Sequence, residues 1–239
     1  MSGGIGSSSN TSNLNEEPDV SNAALKTTGK PRSFFTFRQQ SVLYVMIVLV
    51  SSGMVTTADL AFVVFSLIYV YFISRVAFPV TSPRADPPVF GEKNTILGLY
   101  VSFAAVIGLL LPIAYIFEGI YAGDRERIKA AAPHLFLLAS QVFMEGVSFW
   151  GNFSLPIRVF VPVFYNSKRI FTIAEWLGSE LSKVDEGYGG SAVKRLYVGP
   201  TLAIVNMAFW CFNLFGFLLP VFLPRAFKIY YRSNTKIRD

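Results

Sequence analysis

Apolar residues fall into five long runs, separated by gaps that hold almost every charge. Ser41–Ala58, Leu60–Ser74, Thr95–Phe117 and Leu196–Leu223 contain no Asp, Glu, Lys or Arg; Pro133–Phe153 contains only Glu145. A bilayer core about 30 Å thick needs about 20 apolar residues of helix. Backbone groups in lipid must bond internally, so each run is expected as a helix. The pattern predicts an all-α, polytopic transmembrane helix bundle with about five hydrophobic helices, near 41–58, 60–80, 95–117, 133–153 and 196–223. A tail over 1–33, a transmembrane domain over 34–223 and a basic tail over 224–239 complete the expected organisation.

The first two runs are expected as a helical hairpin with a turn at Val55–Asp59, where Thr57 or Asp59 caps the second helix. A shallow wedge held mostly in one leaflet is the other reading of that hairpin. Before it, Met1–Gly29 is rich in Ser, Asn and Gly and predicts disorder. It lacks the apolar core of a secretory signal. The first apolar run is therefore expected to act as an uncleaved anchor. That implies entry through the endoplasmic reticulum, with residence there, along the secretory route or at the plasma membrane.

A sixth, amphipathic helix is predicted over 167–184. Ile170, Ile173, Ala174, Leu177, Leu181 and Val184 form one stripe at helical spacing. Ser167 would cap its start, and Gly187 lies just beyond its end. Packing against the cytosolic face of the bundle is the simpler reading. The functional one makes Lys168, Arg169 and Trp176 lipid-headgroup contacts. The Gly-rich stretch 186–190 fits neither dinucleotide nor phosphate-loop spacing and is expected as a linker.

Charge placement gives topology. Lys26, Lys30, Arg32 and Arg38 flank the first helix, which puts the N-terminus in the cytosol. Five spans would then leave Arg225, Lys228, Arg232, Lys236 and Arg238 outside, against the same rule. Crossing through Leu155–Leu177 would bring them back, but at the cost of Arg158, Lys168, Arg169 and Glu175 in the membrane. Five helices are retained on this reading, with the side of the C-terminus open.

Composition adds limits. The 239 residues are 52% apolar and only 15% charged, with net charge +6, one His and one Cys. An average soluble domain is about 25% charged. A disordered chain and a disulfide scaffold are excluded, and an ordinary soluble enzyme is disfavoured. The Lys and Arg clusters lie beside apolar runs, so the lipid bilayer, anionic lipid and other membrane proteins are expected partners, rather than nucleic acid. Sequons at Asn10 and Asn152 sit in a cytosolic tail and at a membrane edge, where neither suits a glycan.

Polar residues within helices carry the candidate chemistry. His134, Gln141, Glu145, Ser148 and Asn152 stay within about 40° of one line on a helix. Glu145 inside a span must meet a donor, reach a wet cavity or carry a proton. Gly199, Asn206, Asn213 and Pro220 recur every seven residues on the last helix, so Asn206 and Asn213 can bond across to this stripe. Interhelical bonding is the plain reading; a polar path through the membrane is the sharper one. No nucleophile set appears, His134 and Glu145 lack metal-ligand spacing, and Cys211 lies within an apolar run. No metal, no cofactor and no catalytic residue are expected.

The Met-Ser-Gly-Gly start, Ser-Phe-Phe-Thr-Phe-Arg at Ser33–Arg38 and the Leu60–Pro79 helix ending Ser-Arg-Val-Ala-Phe-Pro resemble an uncharacterised family of plant multispan membrane proteins. The resemblance runs from about Ser33 to the last helix. It implies plant origin and an integral membrane protein, and it assigns no activity and no site. The function expected is non-enzymatic membrane scaffolding, shaping or recruitment. The alternative is a small transporter or channel subunit with a polar path around Glu145.

Overall fold

The computed structural model describes residues 37–80, 89, 95–185 and 193–238, all within the unit Phe35–Asp239. The expected disorder of Met1–Gly29, the linker at 186–190 and Gly187 lie outside the described residues. Those residues form six helices and no strand: α1 (Phe37–Ser51), α2 (Thr57–Val76), α3 (Thr95–Ala122), α4 (Arg125–Trp150), α5 (Leu155–Asp185) and α6 (193–238). Two stretches widen into π-helix, Val106–Leu110 in α3 and Phe212–Phe222 in α6.

Local chemistry sets the boundaries. Thr56 caps α2 by accepting from the Asp59 amide at 3.1 Å, so the cap is Thr56 rather than Thr57 or Asp59. Asp124 caps α4 by accepting from the Arg127 amide at 3.1 Å. Gly123, at φ 67°, ends α3 in the left-handed conformation that glycine adopts at no steric cost. Ser167 caps nothing: it lies inside α5, where its hydroxyl donates to the Val163 carbonyl at 2.8 Å.

Among the described residues three helices, not five, are long and apolar enough to cross a membrane: Thr57–Val76, Thr95–Ala122 and Tyr197–Ser233. The apolar part of α1, Gln39–Ser51, is too short. α4 starts eight residues before the expected position, so its first turns carry Arg125, Glu126, Arg127 and Lys129. The amphipathic helix is the second half of the 31-residue α5, which starts at Leu155 and includes the stretch set aside because of its charges. The basic C-terminal residues continue α6 as Leu223–Arg238.

α4 and α5 are antiparallel and form the centre. α2 runs antiparallel along the first half of α5: Phe62 stacks on Phe164 at 4.8 Å, and Tyr69 lies 6.3 Å from Phe160. Val63, Val70, Phe136, Met144, Ile157 and Val161 are buried between these helices. α6 runs antiparallel along all of α5, from Glu180 against Gly199 to Val159 against Ala226. α3 closes the remaining side through Ile107 and Tyr115. Exposed apolar side chains cover the outer faces of α2, α3 and α6, among them Phe65, Ile68, Leu99, Val101, Phe212 and Phe215. Such a surface suits hydrocarbon, not water.

The hairpin turn is fastened by charge. Asp59 is 1% exposed and its carboxylate lies 2.9 Å from the Lys168 ammonium. Thr56 donates its hydroxyl to the same carboxylate at 2.7 Å. Removing one partner of a buried pair strands the other charge, at about 3–5 kcal/mol when both are buried. Lys168 retains 22% exposure, so K168M is expected to cost about 2–3 kcal/mol. The D59N/K168M double variant should recover most of it. Thermal unfolding in detergent micelles measures both, and a K168M protein as stable as wild type would overturn the assignment.

Candidate functional site

The polar stripe of α4 finds its main partner on α5. The Gln141 amide nitrogen donates to Glu145 Oε1 at 2.8 Å, an i,i+4 pair on one helix face. The Gln141 amide oxygen accepts from Arg169 Nη2 at 2.6 Å. Gln141 therefore bridges a carboxylate and a guanidinium with both ends of its side chain. Arg169 is fully buried, and its guanidinium stacks 4.1 Å from the Trp210 ring of α6. A cation over an indole face gains up to about 2 kcal/mol when desolvated. The chain Glu145–Gln141–Arg169–Trp210 ties α4, α5 and α6 together at one depth.

Trp210 is the hub of the second half. Its indole N–H donates to Asn206 Oδ1 at 3.3 Å, while the Asn206 amide donates to the Leu202 carbonyl at 3.0 Å. Asn166 on α5 donates to the Trp210 carbonyl at 3.0 Å. The Trp210 ring also occupies the space a side chain at Gly108 would need. Gly108 lies in the π-helical turn of α3 and is followed four residues later by Pro112. Proline has no N–H to give the Gly108 carbonyl the α-helical bond at that spacing. His134 Nε2 bonds this carbonyl at 2.9 Å. A carbonyl only accepts, so Nε2 carries the proton.

The remaining candidates do not join this network directly. Ser148 is buried, but its hydroxyl donates to the Glu145 backbone carbonyl at 2.8 Å. Asn152 lies beyond the end of α4, exposed and at φ 49°, so the helical wheel does not extend to it. Asn213 accepts from the Tyr100 hydroxyl at 2.6 Å and joins α3 to α6. Lys168 turns to Asp59, and Arg169 and Trp176 are buried. These three are placed at helix contacts rather than on a headgroup surface, because α5 is packed on several sides.

Sequence reading missed Asn166, the Asp59–Lys168 pair and a second buried carboxylate, Glu180. Glu180 accepts from the Lys183 ammonium at 3.0 Å. Glu180 and the Tyr115 hydroxyl both fill the space left by the absent side chain of Gly199. Gly108 and Gly199 were the available signals, since a glycine within an apolar helix marks a close approach. Beside Tyr115, α3 and α6 leave an apolar cleft of about 480 Å³, bordered by Leu111, Glu118, Val198, Thr201 and Leu202. Among the described residues no three His, Cys, Asp or Glu side chains converge as metal ligands.

Two substitutions probe the network. Q141L removes a bond to a charged donor, a contribution of about 1.5–3 kcal/mol, and is expected to lower stability by that amount. Its effect should shrink in an R169M background, because the same contact is already gone; simple additivity would contradict the bridge. G108A forces the Trp210 ring away and is expected to cost about 1–3 kcal/mol through overpacking. Unchanged melting of G108A would show that the ring is not seated there.

No curated protein and no solved structure matches the chain. One family model does, across residues 35–231, which takes in α1 to α5 and most of α6. The chain belongs to the family described as domain of unknown function DUF7733.

Proposed function

We propose that this protein is a non-enzymatic, multispan membrane scaffold that shapes the bilayer or recruits other membrane proteins. The observation that supports this best is the Glu145–Gln141–Arg169–Trp210 chain, which links three helices. A transport site needs polar groups that a passing solute can engage in turn. Here Gln141 bonds at both ends and links α4 to α5, while Asn206 bonds the Trp210 indole and the Leu202 carbonyl within α6. Polar side chains placed this way hold helices in register. Interhelical polar bonds contribute about 0.6–2 kcal/mol each, enough in sum to stiffen a frame whose outer faces contact lipid and partners. The plant origin and multispan character implied by the resemblance at Ser33–Arg38 and Leu60–Pro79 belong to the same proposal. So does residence in the endoplasmic reticulum or a later secretory membrane.

Reconstitution tests it. Vesicles holding the wild-type chain and an internal pH dye are expected to leak protons no faster than empty vesicles, at any external pH. E145Q should leave that baseline unchanged while lowering the melting temperature. A wild-type proton or solute flux that E145Q abolishes would instead establish the small transporter or channel reading centred on Glu145.

A further inference from the structure

We propose that the end of the bundle where α2 finishes and α6 leaves is a docking surface for the anionic phospholipid headgroups of the adjoining leaflet. Three helix ends are locked together there. Tyr230 donates its hydroxyl to the Pro79 carbonyl at 3.0 Å, and Ser154 donates to the Phe78 carbonyl at 2.8 Å. Ala226 packs with Leu155 and Val159. These contacts bring Arg75, Arg158, Arg225, Lys228 and Arg232 to one end. Residues 74–80, 149–160 and 222–238 contain no Asp or Glu.

The opposite end is mixed. Arg127 lies 2.9 Å from Asp124 and 3.9 Å from Glu118, and Lys183 pairs with Glu180. Among the described residues, basic side chains therefore predominate at one end, while acids and bases intermix at the other. On α6, Arg225, Lys228 and Arg232 fall within about 60° of one line, opposite the buried Ala226 and Tyr230. The last turns of α6 therefore carry these three cations on their exposed side.

Aromatic residues choose the occupant. Tyr71, Trp150 and Tyr231 are exposed at this end, at the level where a bilayer interface favours amphipathic rings. The stripe also continues directly from an apolar stretch long enough to cross a membrane. An acidic protein or a nucleic acid would meet the same cations, but neither accounts for the aromatic ring and the adjoining apolar helix. An excess of Lys and Arg marks the cytosolic side, and that leaflet carries the anionic lipids. This inference rests on the membrane reading above and names one of its partners.

Native mass spectrometry of the full chain, purified in mild detergent and offered phosphatidylcholine and phosphatidylserine in equal amounts, tests it. The wild type is expected to retain phosphatidylserine in at least about tenfold preference, since each basic residue near a surface contributes about fivefold. R225Q/K228Q/R232Q should lose most of that preference, and the exposed single variant K228Q part of it. R125Q/K129Q, at the other end, should retain it. Equal retention of the two lipids by wild type, or an unchanged triple variant, would overturn the proposal. Carbonate extraction separates the failures: a chain that stays in the membrane pellet without lipid preference overturns only this surface, whereas a chain released as soluble protein overturns the membrane scaffold as well.

Discussion

A buried guanidinium sets the conditions for the rest of this fold. Arg169 has no exposed surface, and a charge taken out of water costs several kcal/mol unless it is compensated. Gln141 accepts one of its N–H groups, Trp210 supplies a π face, and Glu145 places the opposite charge one link away. Those partners come from α4 and α6, so the two helices must meet α5 at one depth. The polar centre and the helix order are the same constraint. α4 and α5 bring the charged groups and lie inside; α2, α3 and α6 turn apolar side chains outward.

The platform beneath Arg169 depends in turn on a residue with no side chain. Trp210 can approach α3 this closely only because position 108 is glycine. Pro112 then denies the Gly108 carbonyl its α-helical donor, and His134 bonds it from α4. The local widening of α3 into π-helix is therefore coupled to the same centre, in line with the tendency of such turns to sit where a helix makes a specialised contact. Four helices converge on a volume holding one Arg, one Trp, one His and three amides, Gln141, Asn166 and Asn206.

Much of this was legible in the chain, and the failures have two causes. Long neutral runs located α2, α3 and the body of α6, and the wheel on α4 picked out His134, Gln141 and Glu145. The partner of Gln141 was sought on α6, at Asn206 and Asn213, but it is Arg169 on α5. Hydropathy counts a charge as a cost without seeing what compensates it, so the charges of 155–177 argued against a membrane crossing and left the buried role of Arg169 unseen. In the folded chain Arg169 is fully buried, because its partners arrive from elsewhere in the sequence. Asn152 failed for a different reason. Angular position on a wheel has meaning only while the helix lasts, and α4 ends at Trp150.

The neighbouring residues Lys168 and Arg169 show how α5 divides the molecule. Successive helical residues point about 100° apart. Lys168 therefore reaches out to Asp59 at the hairpin turn while Arg169 turns in to Gln141 and Trp210. The hairpin turn lies at this level, with the 20 residues of α2 leading away from it. α1 has 15 residues, about 22 Å of helix, which is short of a hydrocarbon core about 30 Å thick. Beyond Lys168, α5 continues to Asp185 with α3 and α6 as neighbours, through Trp176 against Tyr115 and Glu180 against Gly199. One basic dipeptide thus marks where the hairpin stops and where the interior charge begins. Moving α5 by a single residue would aim Lys168 at a site shaped for a stacked, planar guanidinium and leave Ser167 opposite Asp59. The register of α5 is set by chemistry at two adjacent positions, and the remaining helices pack around it.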